Sequence, residues 1–361
     1  MPSSFPFFCL PILIQFLVLK HLGLLELFYF SLISKRSKHI VKSLNLALSK
    51  VHWDLVFSCA STVELNHPNC TRLFSSFHTS NVMMTPSEQI NVNGIIVPVA
   101  VTRSRNGIPA CLDILTISER ERWEVMDKFT EHFLELFKVS KYAVRLPTVP
   151  NLRSWFVWKH TTCFEKVEMA DWLENGTRQP GQLTSDNLKF LLEELTIEDV
   201  LDMREGSVEE GVRYSGPLKM RELYVKNGDW LTLEAILNMD CEKLYSYSTN
   251  TVTYQDMNAI IKKWLAGGLK NLEHIELGDH QLSRQDSINT ELDRVLDGIE
   301  YFSWDANNRP EQATVHFETV RCDYNFRDGR DIRRSDGTIA TVDFAYNAFV
   351  FHIWNQLSVN H

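Results

Sequence analysis

The sequence predicts an α/β chain, α+β overall, in which a small helical N-terminal unit precedes a large domain of short strand-helix units closed by a C-terminal β-hairpin. Three observations predict it. An apolar N-terminal segment is punctuated by Pro11 and Gly23, strand-like and helix-like pieces alternate from Trp155 to Leu277, and strand-type alternation with Asp-Gly turns follows Thr314. With 361 residues, 44% of them hydrophobic, the chain can bury a sizeable core as one large domain or two ordinary ones.

Between Phe5 and Ile33 polar side chains are few: Gln15, Lys20, His21, Glu26 and Ser31. A signal peptide, a membrane span and helices awaiting a partner are the three readings. A signal peptide wants a basic start and a small-residue cleavage site, yet no charge precedes Phe5 and the run continues Lys20-His21-Leu22-Gly23. A span needs about 20 mostly apolar residues, whereas Phe5 to Leu19 is shorter and holds Pro6, Pro11 and Gln15. Crossing Lys20 and Glu26 would bury charge at a few kcal/mol each. Short helices fit the punctuation: Pro11 suits a first helical position, Gly23 can end the helix, and a second can start near Leu24. Leu10, Ile14, Leu17 and Val18 then share one face, and Leu13, Phe16, Leu24, Leu27 and Phe28 supply further apolar surface. A unit of about 40 residues cannot bury all of these within itself. The excess needs a partner surface, or packs on the domain that follows.

Short apolar runs separated by polar segments predict several strands between Val51 and Val101. Ser118 and Glu121 form a capping box before Trp123, Met126, Phe129, Phe133, Leu136 and Phe137, which predicts a helix ending near Lys138. Strands are expected at Trp155 to Trp158, Ile197 to Met203, Met220 to Val225, Lys243 to Tyr247 and Leu272 to Leu277. Helices are expected at Ser185 to Leu195, Thr232 to Met239 and Thr253 to Leu265, the last with Thr253 and Asp256 as a capping box and Gly267-Gly268 as its stop. Leu223, Leu244 and Ile275 recur at spacings like those of an irregular leucine-rich-repeat array. Thr314 to Tyr324 and Thr338 to Trp354 alternate as strands do, and Asp328-Gly329 and Asp336-Gly337 supply hairpin turns for an element that covers the last strand edge.

Phe5-Pro6-Phe7-Phe8-Cys9-Leu10-Pro11, then Leu22, Glu26-Leu27 and Phe30-Ser31-Leu32-Ile33-Ser34-Lys35-Arg36-Ser37-Lys38 resemble an F-box in its nematode-expanded form. The resemblance covers the first 42 residues and implies that Leu10, Pro11, Ile14, Leu17, Val18 and Leu32 face an adaptor, with Ser34, Lys35 and Arg36 following the second helix. Gln15, where an acidic residue is common, and Gly23-Leu24, in place of an Asp-Pro-like break, depart from the family pattern. A missing N-cap costs about 1 kcal/mol. Over residues 185–355, Trp230-Leu231-Thr232-Leu233, Met239-Asp240-Cys241, Asp256-Met257-Asn258, Ile261-Lys262-Lys263-Trp264, Leu272-Glu273-His274-Ile275 and Asp331 to Thr341 resemble the F-box-associated domain of type 2. The organisation implied is an F-box at 1–45, a mixed strand and helix linking region at 46–145 and a recognition domain at 146–361. The function implied is that of a non-catalytic substrate-recognition subunit of an SCF-type ubiquitin ligase, without cofactor. It would bind a Skp-family adaptor, through it a cullin, and a protein substrate, in the cytoplasm or nucleus.

The rest of the chemistry is consistent with that expectation. A net charge of −9 with no block of like charges argues against nucleic acid or an anionic membrane as partner. Seven widely spaced cysteines contain no CxxC pair and read as buried thiols. No phosphate-binding glycine loop, GxSxG elbow or HExxH helix is present. His274, Glu276, Asp279 and His280 could hold a metal but read more simply as a strand followed by a polar loop. Arg333 and Arg334 are candidates for binding a phosphorylated partner, against a turn in which Arg and Asp pair locally. Trp155, Phe156 and Trp158 read as core rather than as a peptide platform. The rival function is a secreted or tethered glycoprotein that uses residues 1–30 as signal or anchor and the acceptor sites at Asn69 and Asn175.

Overall fold

Pro11, at a φ of −51°, stands just outside the first helix, α1 (Ile12–Leu19), rather than in its first turn. The computed structural model describes residues 6–56, 60–67, 70–79, 88–103, 109–116, 119–149, 151–174, 177–179, 181–278, 288–317 and 321–354. It divides into two compact units, the first comprising Met1–Pro147, Arg153–Glu165 and Asp171–Gln179, and the second Thr148–Leu152, Lys166–Ala170 and Pro180–His361.

In the first unit α1 is followed by α2 (Leu24–Ile33) and α3 (Lys35–Ser43). Gly23 does not end α1, which stops four residues earlier, but occupies the N-cap of α2 without a side chain to accept a hydrogen bond. Ser34 caps α3 and accepts from the Ser37 N–H at 3.1 Å. The strands are β1 (Lys50–Asp54), β2 (Ala60–His67), β3 (Cys70–Thr79), β4 (Glu88–Val92), β5 (Ile95–Arg103) and β6 (Pro109–Thr116), then α4 (Glu119–Leu136) and β7 (Tyr142–Pro147). They form one sheet in the order β7-β1-β2-β3-β6-β5-β4. Asn93 and Gly94, both at positive φ, join β4 to β5 in a two-residue hairpin. The periodicity read for α4 holds, since Val125, Met126, Phe129, Phe133 and Leu136 are buried; Ser118 lies outside the described residues.

Of Trp155 to Trp158, expected as a strand, Phe156 to Trp158 fall instead in a short 3₁₀ helix over Phe156–Lys159, with Trp155 as its extended N-cap. The consecutive residues Phe156 and Val157 are both buried, which a half-exposed strand forbids. The turn also brings Lys159 Nζ and His160 Nε2 each to 2.8 Å from the Asp127 carboxylate on α4. Trp155 meets Trp123 edge-on at 4.7 Å and Trp158 meets Phe164 at 5.5 Å, so the aromatic group is packing material.

The second unit begins with α5 (Ser185–Lys189), which runs into a π-turn over Phe190–Glu194. There follow β8 (Thr196–Met203), β9 (Glu222–Val225), α6 (Leu233–Leu237), β10 (Lys243–Ser246), α7 (Tyr254–Leu265) and β11 (His274–Gly278). The expected capping box on α7 is formed, with the Thr253 hydroxyl accepting from the Asp256 N–H and the Asp256 carboxylate accepting from the Thr253 N–H. β8 to β11 are parallel neighbours in chain order. Leu201, Leu223, Leu244 and Ile275 stand side by side across them, fully buried, and so realise the repeat-like spacing read in the sequence. On the same face Phe351 meets Trp264 of α7.

The chain then forms α8 (Ile288–Val295), β12 (Phe302–Ser303), β13 (Gln312–His316), β14 (Arg321–Asn325), β15 (Arg330–Arg333), β16 (Ile339–Ala345) and β17 (Ala348–Trp354). β17 pairs antiparallel with β11 and continues through β16 and β15 to β12, which closes the strand edge as expected. The means differ from one hairpin. Among the described residues β13 and β14 pair only with each other, and Val315, Phe317, Tyr324 and Phe326 pack with Val200, Tyr224, Val350 and Trp354 on the sheet face opposite the Leu223 side. Asp328-Gly329 therefore links this covering hairpin to β15 instead of turning between paired strands. Asp336-Gly337 does turn β15 into β16, with Gly337 at a φ of +92°. The β16–β17 turn is made by Tyr346 and Asn347, both at positive φ and without glycine.

Candidate functional site

Helix α1 is turned inside out relative to an ordinary surface helix. Its polar residue Gln15 is 2% exposed, whereas Ile12, Leu13 and Leu17 are 50%, 71% and 56% exposed. Gln15 and Leu19, four residues apart, define the inward face; Ile14 and Val18 join the outward one, and Ile33 at the end of α2 is also exposed. Contiguous exposed apolar side chains of this kind mark interaction sites, because each leaves about 1.5–3 kcal/mol of burial unrealised.

The opposite side of the helices is held firmly. Phe28 of α2 packs against Phe129 and Phe133 of α4 at ring distances of 5.4 and 5.0 Å. Ser31 Oγ donates to the Phe28 carbonyl and lies 2.7 Å from His132 Nε2. Burial, helped by the Lys38 ammonium, holds the His132 imidazole down at about 4, so it is neutral at physiological pH. Lys38 on α3 pairs with Glu135 at 2.6 Å, and the Tyr29 hydroxyl donates to Glu88 at 2.8 Å. Burial and the Glu88 carboxylate raise that phenol well above its ordinary range. At the start of the chain Phe7 and Phe8 gather on Phe30, and the Arg36 guanidinium lies 5.0 Å from the Phe8 ring centre. The outer apolar face is thus presented on a fixed base.

Of the residues expected to face an adaptor, Pro11, Ile14, Leu17 and Val18 are exposed together, and Leu10 and Leu32 are half-buried beside them. Ile12, Leu13 and Ile33 complete the surface. The sequence signal for Ile12 and Leu13 was the surplus of apolar residues on every side of α1; Gln15, its one polar residue, turns inward instead of marking the solvent face.

The F-box domain model matches residues 7–49 and the F-box associated model matches residues 216–277. The chain carries an F-box and an F-box associated segment. The two matches agree with the resemblance to a nematode-type F-box protein read in the sequence. A similar protein, an uncharacterized protein of Caenorhabditis elegans, is 24% identical over 341 residues, which is 94% of this chain and 75% of that one. The E3 ubiquitin-protein ligase hecw-1 of Caenorhabditis elegans is 31% identical over 81 residues, 22% of this chain and 6% of that protein. No solved structure is a significant match.

The other candidates occupy different places. The Arg334 guanidinium pairs with Asp336 at 2.6 Å and stacks over Trp264, while Arg333 lies over Phe302 and reaches Asn308. The local Arg-Asp pairing at this turn is therefore the arrangement seen for Arg334. His274 and Glu276 share the face of β11 beneath the covering hairpin, where the Tyr324 hydroxyl donates to Glu276 and His274 Nδ1 lies 3.4 Å from His352 Nδ1. Asp279, His280, Asn69 and Asn175 lie outside the described residues. Among the described residues no group of three or more His, Cys, Asp or Glu is placed to hold a metal ion, and no helix is long and apolar enough to cross a membrane.

Proposed function

We propose that this F-box protein is the substrate-recognition subunit of an SCF-type cullin-RING ubiquitin ligase. The first helices bind a Skp-family adaptor, and through it a cullin, while the second unit holds a protein substrate. In this reading residues 1–45 dock, residues 46–145 support them and residues 146–361 recognise. The chain acts in the cytoplasm or nucleus. The subunit contributes proximity: it raises the effective concentration of substrate lysines at the ubiquitin-loaded partner and needs no acid, base or nucleophile of its own.

The observation that carries the reading is the apolar outward face of α1, with Ile12, Leu13, Ile14, Leu17 and Val18 around an inward Gln15. It is tested by co-purification of the full chain with a Skp-family adaptor. The wild type is expected to retain the adaptor, and Ile14→Asp and the pair Leu10→Ala/Pro11→Ala to lose it. A well-folded wild type that does not bind overturns the reading.

A further inference from the structure

Both faces of the parallel sheet in the second unit are covered, one by α7 and the other by the β13–β14 hairpin, so recognition by this unit must use a flank or an end. One flank holds a cavity of about 610 Å³ lined by residues 191–193 and 195–198 together with Tyr214, Pro217, Lys219 and Met220. Sites that enclose a ligand span roughly 300–1,000 Å³. Leu191, Leu195, Ile197 and Met220 are buried and make the apolar part of the wall. Glu193, Glu198 and Lys219 are exposed at the rim.

The backbone is shaped for this opening. The Leu195 N–H donates five residues back to the Phe190 carbonyl at 3.3 Å, the signature of a π-turn. Such turns are rare and are frequent at functional sites. Here the turn leaves Leu191 and Leu192 buried and Glu193 exposed. Burial, and secondarily the Glu193 carboxylate, raise the Tyr214 phenol above its ordinary value. Among the described residues Glu193 makes no ion pair.

We propose that this cavity receives an extended segment of the protein substrate, seating an apolar side chain on the wall and a lysine or arginine beside Glu193. The proposal rests on the reading of the second unit as the substrate-binding part. An acidic segment would meet Lys219 but be repelled by Glu193, so the rim beside Glu193 selects for positive charge.

The test uses the full chain and two fluorescein-labelled peptides, Leu-Arg-Leu-Arg-Leu-Arg and Leu-Glu-Leu-Glu-Leu-Glu, followed by fluorescence anisotropy at physiological salt. The arginine peptide is expected to bind at least about tenfold more tightly than the glutamate peptide. Glu193→Lys should abolish or reverse that preference, and Lys219→Glu should strengthen it. Equal binding of the two peptides, binding of neither, or a preference unchanged in Glu193→Lys overturns the proposal. Adaptor binding is measured on the same samples. Retained adaptor binding with no peptide preference defeats the cavity alone, whereas loss of adaptor binding by the wild type defeats the ligase reading.

Discussion

The side-chain amide of Gln15 donates to the Leu10 carbonyl at 2.7 Å, and that bond fixes which side of α1 faces the protein. Gln15→Glu replaces the buried donor with an acceptor facing the carbonyl and should cost about 1–3 kcal/mol. Gln15→Met loses the bond but also removes the buried amide oxygen, which has no hydrogen-bond partner among the described residues, so it should cost less than Gln15→Glu. Urea unfolding of the two variants checks the order; equal stabilities would mean the bond does not orient the helix.

Phe28 carries the junction between α2 and α4. Phe28→Ala opens a cavity beside Phe129 and Phe133 and should destabilise the first unit by about 3–5 kcal/mol. Adaptor binding should fall with it, because the apolar face loses its base. Circular dichroism melting combined with adaptor binding tests this.

In the second unit Arg309 and Asp331 form an ion pair with both side chains fully buried, at 2.8 Å. Arg309 also donates to the Phe326 carbonyl, and Asp331 accepts from Thr341, whose hydroxyl oxygen in turn accepts from Trp354. Removing one partner strands the other charge, so Asp331→Ala should cost about 3–5 kcal/mol. Replacing both with apolar residues should cost less than Asp331→Ala alone, and a chemical denaturation series measures the difference.

The pH dependence has two opposing parts in this unit. Burial raises the Asp343 carboxyl to about 6, so its contribution to stability is present below the unfolded value near 3.8 and is lost as pH rises through 6. Burial lowers His352 to about 3, so its contribution is present above 6.5 and is lost as pH falls toward 3. His274 shifts in the same direction as His352. Asp343→Asn keeps the acceptor for the Phe344 N–H and removes only the titration. It should gain about 2–3 kcal/mol at pH 8 and nothing at pH 4. Melting curves across that range decide the sign.

What could be read from the sequence was what local patterning controls. The capping box at Thr253 and Asp256, the stop at Gly267 and the strands around Leu223, Leu244 and Ile275 depend on residues close in the chain or on a recurring period. The outward face of α1 was legible because more apolar surface was present than a small unit could bury. Tertiary choices were not legible. Phe156 to Lys159 form a 3₁₀ helix, from whose end Lys159 and His160 reach Asp127, a contact far away in the chain. The β13–β14 hairpin lay on the sheet face because its aromatic residues found Tyr224 and Trp354, an arrangement alternation alone does not encode. The turn at Tyr346 and Asn347 carried no glycine to announce it.

The most direct measurement is the affinity of the full chain for a Skp-family adaptor by calorimetry, comparing wild type with Leu13→Asp/Leu17→Asp and with Ile96→Asp. Ile96 is comparably exposed but stands in β5 rather than in α1. The account predicts that the double substitution weakens binding by at least about 3 kcal/mol, more than a hundredfold, without lowering the melting temperature, and that Ile96→Asp changes nothing. Equal affinity of all three proteins would contradict it.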